Sequence, residues 1–217
     1  MTIYNVSEDN SILNQFLIEL RDENTQKDRW RFRQNLERIG EVLAYEMSKS
    51  IRYESTTINT VFGEYKKSEI SEKLVFCSIL RAGLPMHQGV MRFFDNNDHA
   101  FISAYRTHDK ETNDFNIEIE YCATPDLNDI ILVLVDPMLA TGHSLVEVYK
   151  SLSKKFKIAK LIILAAISAG PGIEHLKKHC PETTQLWSAD IDEHLNDKGY
   201  IVPGLGDAGD LAFGSKL

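Results

Sequence analysis

A short segment with the sequence DPMLATGHS, residues 136–144, combines residue types that can hold a phosphorylated sugar. It lies between residues 130–135, an unbroken apolar run typical of a strand buried on both faces of a parallel sheet, and a helical pattern. Unpaired N–H groups at a helix start carry partial positive charge, and the hydroxyls of Thr141 and Ser144 add donors. Because Asp136 repels a phosphate, the natural partners of its carboxylate are ribose hydroxyls or a metal ion.

The same segment also fits a purely structural role. Ser144 followed by Glu147 matches a capping box, and strand–turn–helix units with glycine and threonine are common. The residues of this segment taken alone leave both interpretations open, phosphate binding and helix capping.

Arginines are the other candidates for an anionic substrate, because the planar guanidinium fork matches the oxygens of a pyrophosphate. After residue 52 the chain has only Arg81, Arg92 and Arg106. Arg81 follows the apolar run of residues 74–80, and Arg106 opens the polar segment 106–116. We interpret Arg106 as a lid arginine and Arg92, which lies in no motif, as a surface charge.

Two acidic groups could suggest a metal site, but their spacing does not favour one. Asp207 and Asp210 are spaced like ligands of a calcium loop, yet no acidic residue follows them. A second group matches no known metal spacing, and we expect it to be solvated: Asp190, Asp192, Glu193 and His194. We therefore predict no metal site built by the protein alone.

Strands that alternate with helices must position these residues, which indicates an α/β fold with a mainly parallel sheet. Apolar runs predict strands over residues 74–80, 100–105, 130–135, 161–167 and 185–189. Helical patterns predict helices over 29–51, 85–94 and 171–179 and after Ser144. In the first helix one face carries the apolar residues Phe32, Leu36, Ile39, Leu43 and Met47. We predict a single domain over residues 1–217, with an extended N-terminal arm over residues 1–28.

Composition excludes several functional classes. The net charge of −8 disfavours a nucleic-acid-binding face, and the apolar runs are too short to cross a bilayer. No basic, apolar leader opens the chain, and the three cysteines, Cys77, Cys122 and Cys180, lack metal spacing. We expect a cytoplasmic protein with reduced thiols that acts on small molecules, with neither nucleic acid nor a membrane as partner.

Three segments, in this order along the chain, resemble the uracil phosphoribosyltransferases, a type I phosphoribosyltransferase family. ILRAGLPM at residues 79–86 is similar to the arginine-bearing pyrophosphate loop of that family. DPMLATGHS is similar to its loop for phosphoribosyl pyrophosphate (PRPP), in which proline follows the aspartate. YIVPGLGDAGDLAFGSK at residues 200–216 is similar to its uracil-binding segment. Ala104-Tyr105-Arg106 and RFRQNLERIGEVLAYEMS are also typical of the family, and the resemblance covers residue 29 to the end.

The resemblance implies a mainly parallel sheet flanked by helices, with an N-terminal helical arm and a C-terminal hood over the base. It implies the reaction of uracil with PRPP to give UMP and pyrophosphate, in pyrimidine salvage, with Mg²⁺ bound mainly through PRPP. The catalytic residues would be Arg106, Asp136 and Asp207. We also expect a homodimer or a larger homo-oligomer.

The resemblance also implies a set of binding residues. The PRPP set is Arg81, Arg106, Asp136, Pro137, Met138, Leu139, Ala140, Thr141, Gly142, His143, Ser144 and Asp207. The uracil set is Ile201, Gly206, Asp207 and Ala208. A chain edge that supplies N–H, C=O and N–H would complement O2, N3–H and O4 of uracil and mismatch cytosine. His143 and Leu211 depart from the family pattern, which has a small residue and a basic residue there.

Two other functions stay open on the sequence. One is a phosphoribosyltransferase of the same fold that uses another base, such as a purine, which the C-terminal segment disfavours. The other is a non-catalytic PRPP sensor that binds RNA or a protein, which the acidic net charge disfavours.

Overall fold

A mainly parallel sheet of eight strands forms the centre of the structure, a computed structural model that describes residues 1–108 and 115–216. Its strands are β1 (Thr2–Asn5), β4 (Leu74–Leu80), β5 (Asp98–His108), β6 (Phe115–Ala123), β7 (Ile131–Val135), β8 (Met138–Leu139), β9 (Lys160–Ala169) and β10 (Gln185–Asp192). Their order is β1-β10-β9-β7-β4-β5-β6, and β8 pairs with β9. Among the described strands of this sheet, β5 and β6 form the one antiparallel pair, and the other pairs are parallel. The predicted α/β fold is confirmed.

Helices cover both faces of this sheet. They are α1 (Ile12–Arg21), α2 (Arg29–Ser48), α3 (Gly83–Met91), α4 (His143–Ser153), α5 (Gly170–His179) and α6 (Ala208–Phe213). One core cluster packs α1, α2, α3 and α6 on the sheet, and a second packs α4 and α5 on the opposite face. Alternate residues of β7 enter the two clusters, which explains the unbroken apolar run of residues 130–135.

The N-terminal residues do not form the extended arm predicted for residues 1–28. β1 pairs in parallel with β10 at the edge of the sheet. Helix α1 follows, begins at a Ser11 cap, and buries Leu13, Leu17 and Leu20. Each buried leucine contributes about 2 kcal/mol of apolar burial. The helical spacing of these three leucines is therefore the reason that this segment packs on the core.

Two small antiparallel pairs lie off the main sheet. Strands β2 (Tyr53–Thr60) and β3 (Gly63–Ile70) form a hairpin whose side chains are almost all exposed, with Phe62 fully exposed at its turn. Strands β11 (His194–Leu195) and β12 (Ile201–Val202) form a short pair near the C-terminus.

The described ends of the polar segment of residues 106–116 belong to an antiparallel pair of strands. Arg106 on β5 pairs with Ile117 on β6, and His108 pairs with Phe115. Residues 109–114 lie outside the described residues. Within the described ranges, no helix has both the length and the apolar character needed to cross a membrane.

Candidate active site

An open cavity of about 690 Å³ lies where the carboxyl ends of β4 and β7 meet the C-terminal segment of the chain. This is the edge at which open α/β sheets bind ligands. The cavity is lined by many of the residues predicted for the site: Arg81, Asp136, Met138, Ala140, Ser144, Ile201, Gly206, Asp207 and Ala208. The structure therefore brings the predicted PRPP segments and the predicted uracil segment to one place.

The loop after β7 leads directly into helix α4. Gly142 precedes the helix with a φ of +78°, in the left-handed region that favours glycine, and the helix begins at His143. The N-cap residue is Gly142, so Ser144 does not occupy the N-cap position that the capping box with Glu147 requires. Ser144 lines the cavity instead. The start of a helix presents backbone N–H groups and a partial positive charge, which suit an anion.

Helix α5 presses closely on this loop. A side chain added at Gly172 would place its Cβ 2.4 Å from the carbonyl oxygen of Ala140. A Cβ added at Gly142 would lie 2.9 Å from the carbonyl oxygen of Gly172. The two glycines thus allow a backbone contact that fixes the position of the loop relative to the sheet.

The carboxylate of Asp136 is the most perturbed acid in the cavity. Burial raises its pKa to about 7, and the one backbone hydrogen bond that it accepts, from Met138 at 3.3 Å, only partly opposes this effect. Among the described residues, this is the one hydrogen bond that the carboxyl group makes. The group could accept hydrogen bonds from ligand hydroxyls or bind a cation.

Arg81 connects the end of β4 to the C-terminal segment of the chain. Its guanidinium donates to Asp210 Oδ1 at 3.1 Å and to the carbonyl oxygen of Gly214 at 3.3 Å, and the side chain remains 44% exposed. The fork is therefore near the cavity and accessible to a ligand anion. The ion pair also holds the C-terminal segment against the end of β4.

The predicted base segment folds into a short turn followed by helix α6. Asp207 precedes α6 and accepts a hydrogen bond from the N–H of Asp210 at 2.9 Å, while Ala208 is buried and Ile201 is 4% exposed. Asp207 and Asp210 are thus engaged in a helix cap and an ion pair, an arrangement that differs from a calcium loop.

Some predicted residues lie away from the cavity wall. The side chains of Pro137 and Leu139 are buried, and Thr141 and Gly142 are not among the lining residues described. His143 is exposed, and its ring centroid lies 4.2 Å from that of His175 on α5. Arg106 lies on β5, but its side chain is outside the described part of the structure. The departure at Leu211 packs against the core cluster of α1, α2, α3 and α6.

A charged cluster beside the predicted uracil-binding segment was not expected from the sequence. Asp190 and Asp192, expected to be solvated, both pair with Arg21 at 2.8 Å, and Asp192 is only 7% exposed. Arg21 lies at the end of α1, in the segment predicted as an arm, so its long-range partner could not be inferred. Glu193 and His194 are exposed as expected. Among the described residues, no group of three or more His, Cys, Asp or Glu residues could hold a metal ion.

Comparisons with known proteins agree with this geometry. The family described as uracil phosphoribosyltransferase matches residues 6–215. A uracil phosphoribosyltransferase of Porphyromonas gingivalis is 44% identical over 217 residues, 100% of both chains. One from Thermococcus gammatolerans is 36% identical over 213 residues, 97% of this chain and 92% of its own.

Solved structures show the same architecture. A protein from Aquifex aeolicus superposes with a TM-score of 0.86 at 30% identity, over 100% of both chains. A hypoxanthine phosphoribosyltransferase from Staphylococcus aureus shares the fold, with a TM-score of 0.52 at 13% identity over 75% of this chain and 76% of its own.

Proposed function

The chain belongs to the uracil phosphoribosyltransferase family, and we propose that its cavity transfers the phosphoribosyl group of PRPP to uracil, yielding UMP and pyrophosphate for pyrimidine salvage. One observation carries the assignment of the site. The loop after β7, Arg81 and the glycine-rich segment around Asp207 all line the same cavity, although they are far apart in sequence. One pocket can thus hold a phosphorylated sugar and a planar base together.

We assign the anionic ends of PRPP to two regions of this pocket. The 5′-phosphate would lie at the start of α4, where Ser144 and the backbone N–H groups of the first turn would supply donors. Arg81 and Arg106 would offset the charge that develops on the departing pyrophosphate. The ribose hydroxyls would lie against Asp136. This reaction needs positioning and charge stabilisation more than a protein nucleophile, because the sugar passes through an oxocarbenium-like state.

We assign the base to the segment that includes Ile201, Gly206 and Ala208. Backbone N–H and C=O groups of this segment would read the acceptor–donor–acceptor edge of uracil and reject cytosine, whose N3 accepts and whose amino group donates. The small side chain of Ala208, on the cavity wall, would leave space for the ring beside the chain.

The acids of the pocket fit Mg²⁺ in the way that phosphate-transferring enzymes often hold it. Mg²⁺ is usually bound by one or two carboxylates together with substrate phosphates, rather than by a cage of protein ligands. Asp136, with few polar partners, and Asp207 are the two predicted acids on the cavity wall. When bound, Mg²⁺ would neutralise charge on the pyrophosphate, and Asp207 would help to place the ion or its waters.

The setting proposed for this enzyme is the cytoplasm, where it would act as a homodimer or a larger homo-oligomer on small-molecule substrates, with neither nucleic acid nor a membrane as partner. Support for self-association comes from the exposed β2–β3 hairpin, since an isolated two-stranded hairpin is marginally stable in water. Cys77, Cys122 and Cys180, all in the described part of the chain, form no disulfide.

The site assignment is tested by Ala208→Leu, which should fill the space of the base. We expect a steep rise in KM for uracil and a near-normal KM for PRPP, because the phosphate groups contact other strand ends. The matched control is Ala212→Leu, a buried residue of the same helix that is not among the lining residues described. It should not raise the KM for uracil selectively. A normal KM for uracil in folded Ala208→Leu would mean that the base is read elsewhere.

A further inference from the structure

We propose that Arg21, acting through Asp192, is a positioning residue that holds the base-binding segment in the shape that accepts uracil. The inference rests on the proposed base site at Ile201, Gly206 and Ala208. It gives the N-terminal helix α1 a role in substrate selection.

The contacts converge on one residue between the proposed base contacts. Arg21 Nη1 donates to Asp192 Oδ2 at 2.8 Å and to the carbonyl oxygen of Gly204 at 3.0 Å. Asp192 Oδ2 in turn accepts the N–H of Gly204 at 2.9 Å. Both backbone polar groups of Gly204 are thus held by one ion pair. Because Gly204 lies three residues after Ile201 and two before Gly206, this ion pair sets the path of the chain through the base site.

A second contact from the same N-terminal region holds the next residue. With its amide nitrogen facing them, Gln26 donates to the carbonyl oxygens of Leu205 at 2.8 Å and Leu20 at 3.1 Å. The backbone of two consecutive residues in the base segment is therefore tied to residues 20–26. These hydrogen bonds connect the base segment to helix α1 and the residues that follow it.

Several hydrogen bonds and low exposure constrain the position of the Arg21 side chain. Arg21 also contacts Asp190 Oδ2 at 2.8 Å and Asp192 Oδ1 at 2.9 Å, so its planar fork serves two carboxylates and a carbonyl oxygen at once. Its side chain is 19% exposed, and that of Asp192 is 7% exposed. A lysine ammonium is a compact point charge and cannot reproduce this planar arrangement.

The support acts on the base half of the site. The hydrogen bonds of Arg21 reach Asp190, Asp192 and Gly204, whereas the proposed phosphate contacts follow β4 and β7. Weakening this support should therefore raise the KM for uracil and leave the KM for PRPP unchanged. A purely structural role would instead lower stability without separating the two substrates.

The test compares Arg21→Met and Arg21→Lys with Arg31→Met. Arg31 makes a similar two-pronged contact with Glu19 on α1, at 2.7 and 2.8 Å, and is not placed in the binding machinery. For each purified variant, the KM for uracil, the KM for PRPP and the thermal unfolding midpoint are measured. Arg21→Met should raise the KM for uracil about tenfold or more, with the KM for PRPP within about twofold of normal. Arg21→Lys should show a smaller rise, and Arg31→Met should leave both KM values normal.

Several outcomes would overturn the proposal. They are a normal KM for uracil in folded Arg21→Met, an equal rise in both KM values, or the same selective rise in Arg31→Met. If Arg21→Met does not fold, Arg21→Lys decides by the same criterion. Ala208→Leu distinguishes a failure of the proposed support role from a failure of the proposed base site. If it raises the KM for uracil and the Arg21 variants do not, the support role alone is wrong. If it also leaves that KM normal, the base site itself is wrong.

Discussion

At the scale of single residues, Asp136, which we propose contacts the ribose hydroxyls, is a carboxyl group whose burial has a cost in stability. Its carboxyl group is partly buried at the end of β7, and burial raises its pKa to about 7. Few protein groups compensate the charge, since its one backbone hydrogen bond is 3.3 Å long. We propose that ribose hydroxyls or a cation supply further partners when the substrate binds.

The first prediction concerns stability against pH in the substrate-free protein. Because the folded pKa of Asp136 is raised from 3.8 to about 7, the protonated form is favoured in the fold. Its contribution to stability is complete below about pH 4 and is lost as the pH rises through about 7. Asp136→Asn should therefore be more stable than the parent at pH 8, by at most about 4 kcal/mol, and lose this advantage near pH 4.

The measurement is the free energy of unfolding in denaturant at both pH values. The control is Asp129→Asn, an exposed aspartate just before the same strand. An Asp136→Asn protein that gains no stability at pH 8 relative to pH 4 would contradict the burial argument.

The second prediction concerns catalysis by the same variant. Asp136→Asn should lower kcat by about 10²–10³-fold, because one charge-stabilising contact is lost from the transition state. Arg106→Ala should have a similar effect, as the resemblance to the family implies for Arg106. Initial rates with saturating substrates and circular dichroism of each variant are the required measurements. Wild-type rates in either variant would remove that residue from the mechanism, and Asp129→Asn should keep normal rates.

At the scale of elements, helix α5 packs closely against the loop after β7. Gly172→Ala would place a methyl group 2.4 Å from the Ala140 carbonyl oxygen, so the loop or the helix must move. We expect a raised KM for PRPP and a smaller change in the KM for uracil. Glu174→Ala, an exposed change on the same helix, is the control. Unchanged kinetics in folded Gly172→Ala would show that the position of this loop does not limit PRPP binding.

The elements also show what a sequence can predict. Residues 74–80 were predicted as a strand and form one, and the predicted apolar face of α2 is buried, because burial leaves a periodic apolar pattern. The β2–β3 hairpin was not predicted, because its side chains are nearly all exposed and show no alternation of apolar and polar residues. Helix α1 was missed because its leucines are set in a polar segment that begins without a clear period.

At the scale of the whole molecule, the site is assembled from distant segments. The loop motifs could be identified from the sequence because each is local: a strand end, a glycine and a helix start. The tertiary partners of these motifs could not be identified from the sequence. Arg21 meets Asp192 across 171 residues and Arg81 meets Asp210 across 129, and only the packed fold brings them together. The roles assigned to the site residues and the single domain over residues 1–217 remain predictions.

Base selectivity in the phosphoribosyl transfer tests the proposed site most directly. Purified protein is incubated with PRPP and Mg²⁺ and with one base at a time: uracil, cytosine, adenine, guanine or hypoxanthine. Pyrophosphate release and the nucleotide product are measured together. We expect rapid release with uracil alone and UMP as the product, because only uracil matches the donor and acceptor edge proposed for the C-terminal segment. Faster turnover with hypoxanthine or adenine than with uracil would contradict this expectation.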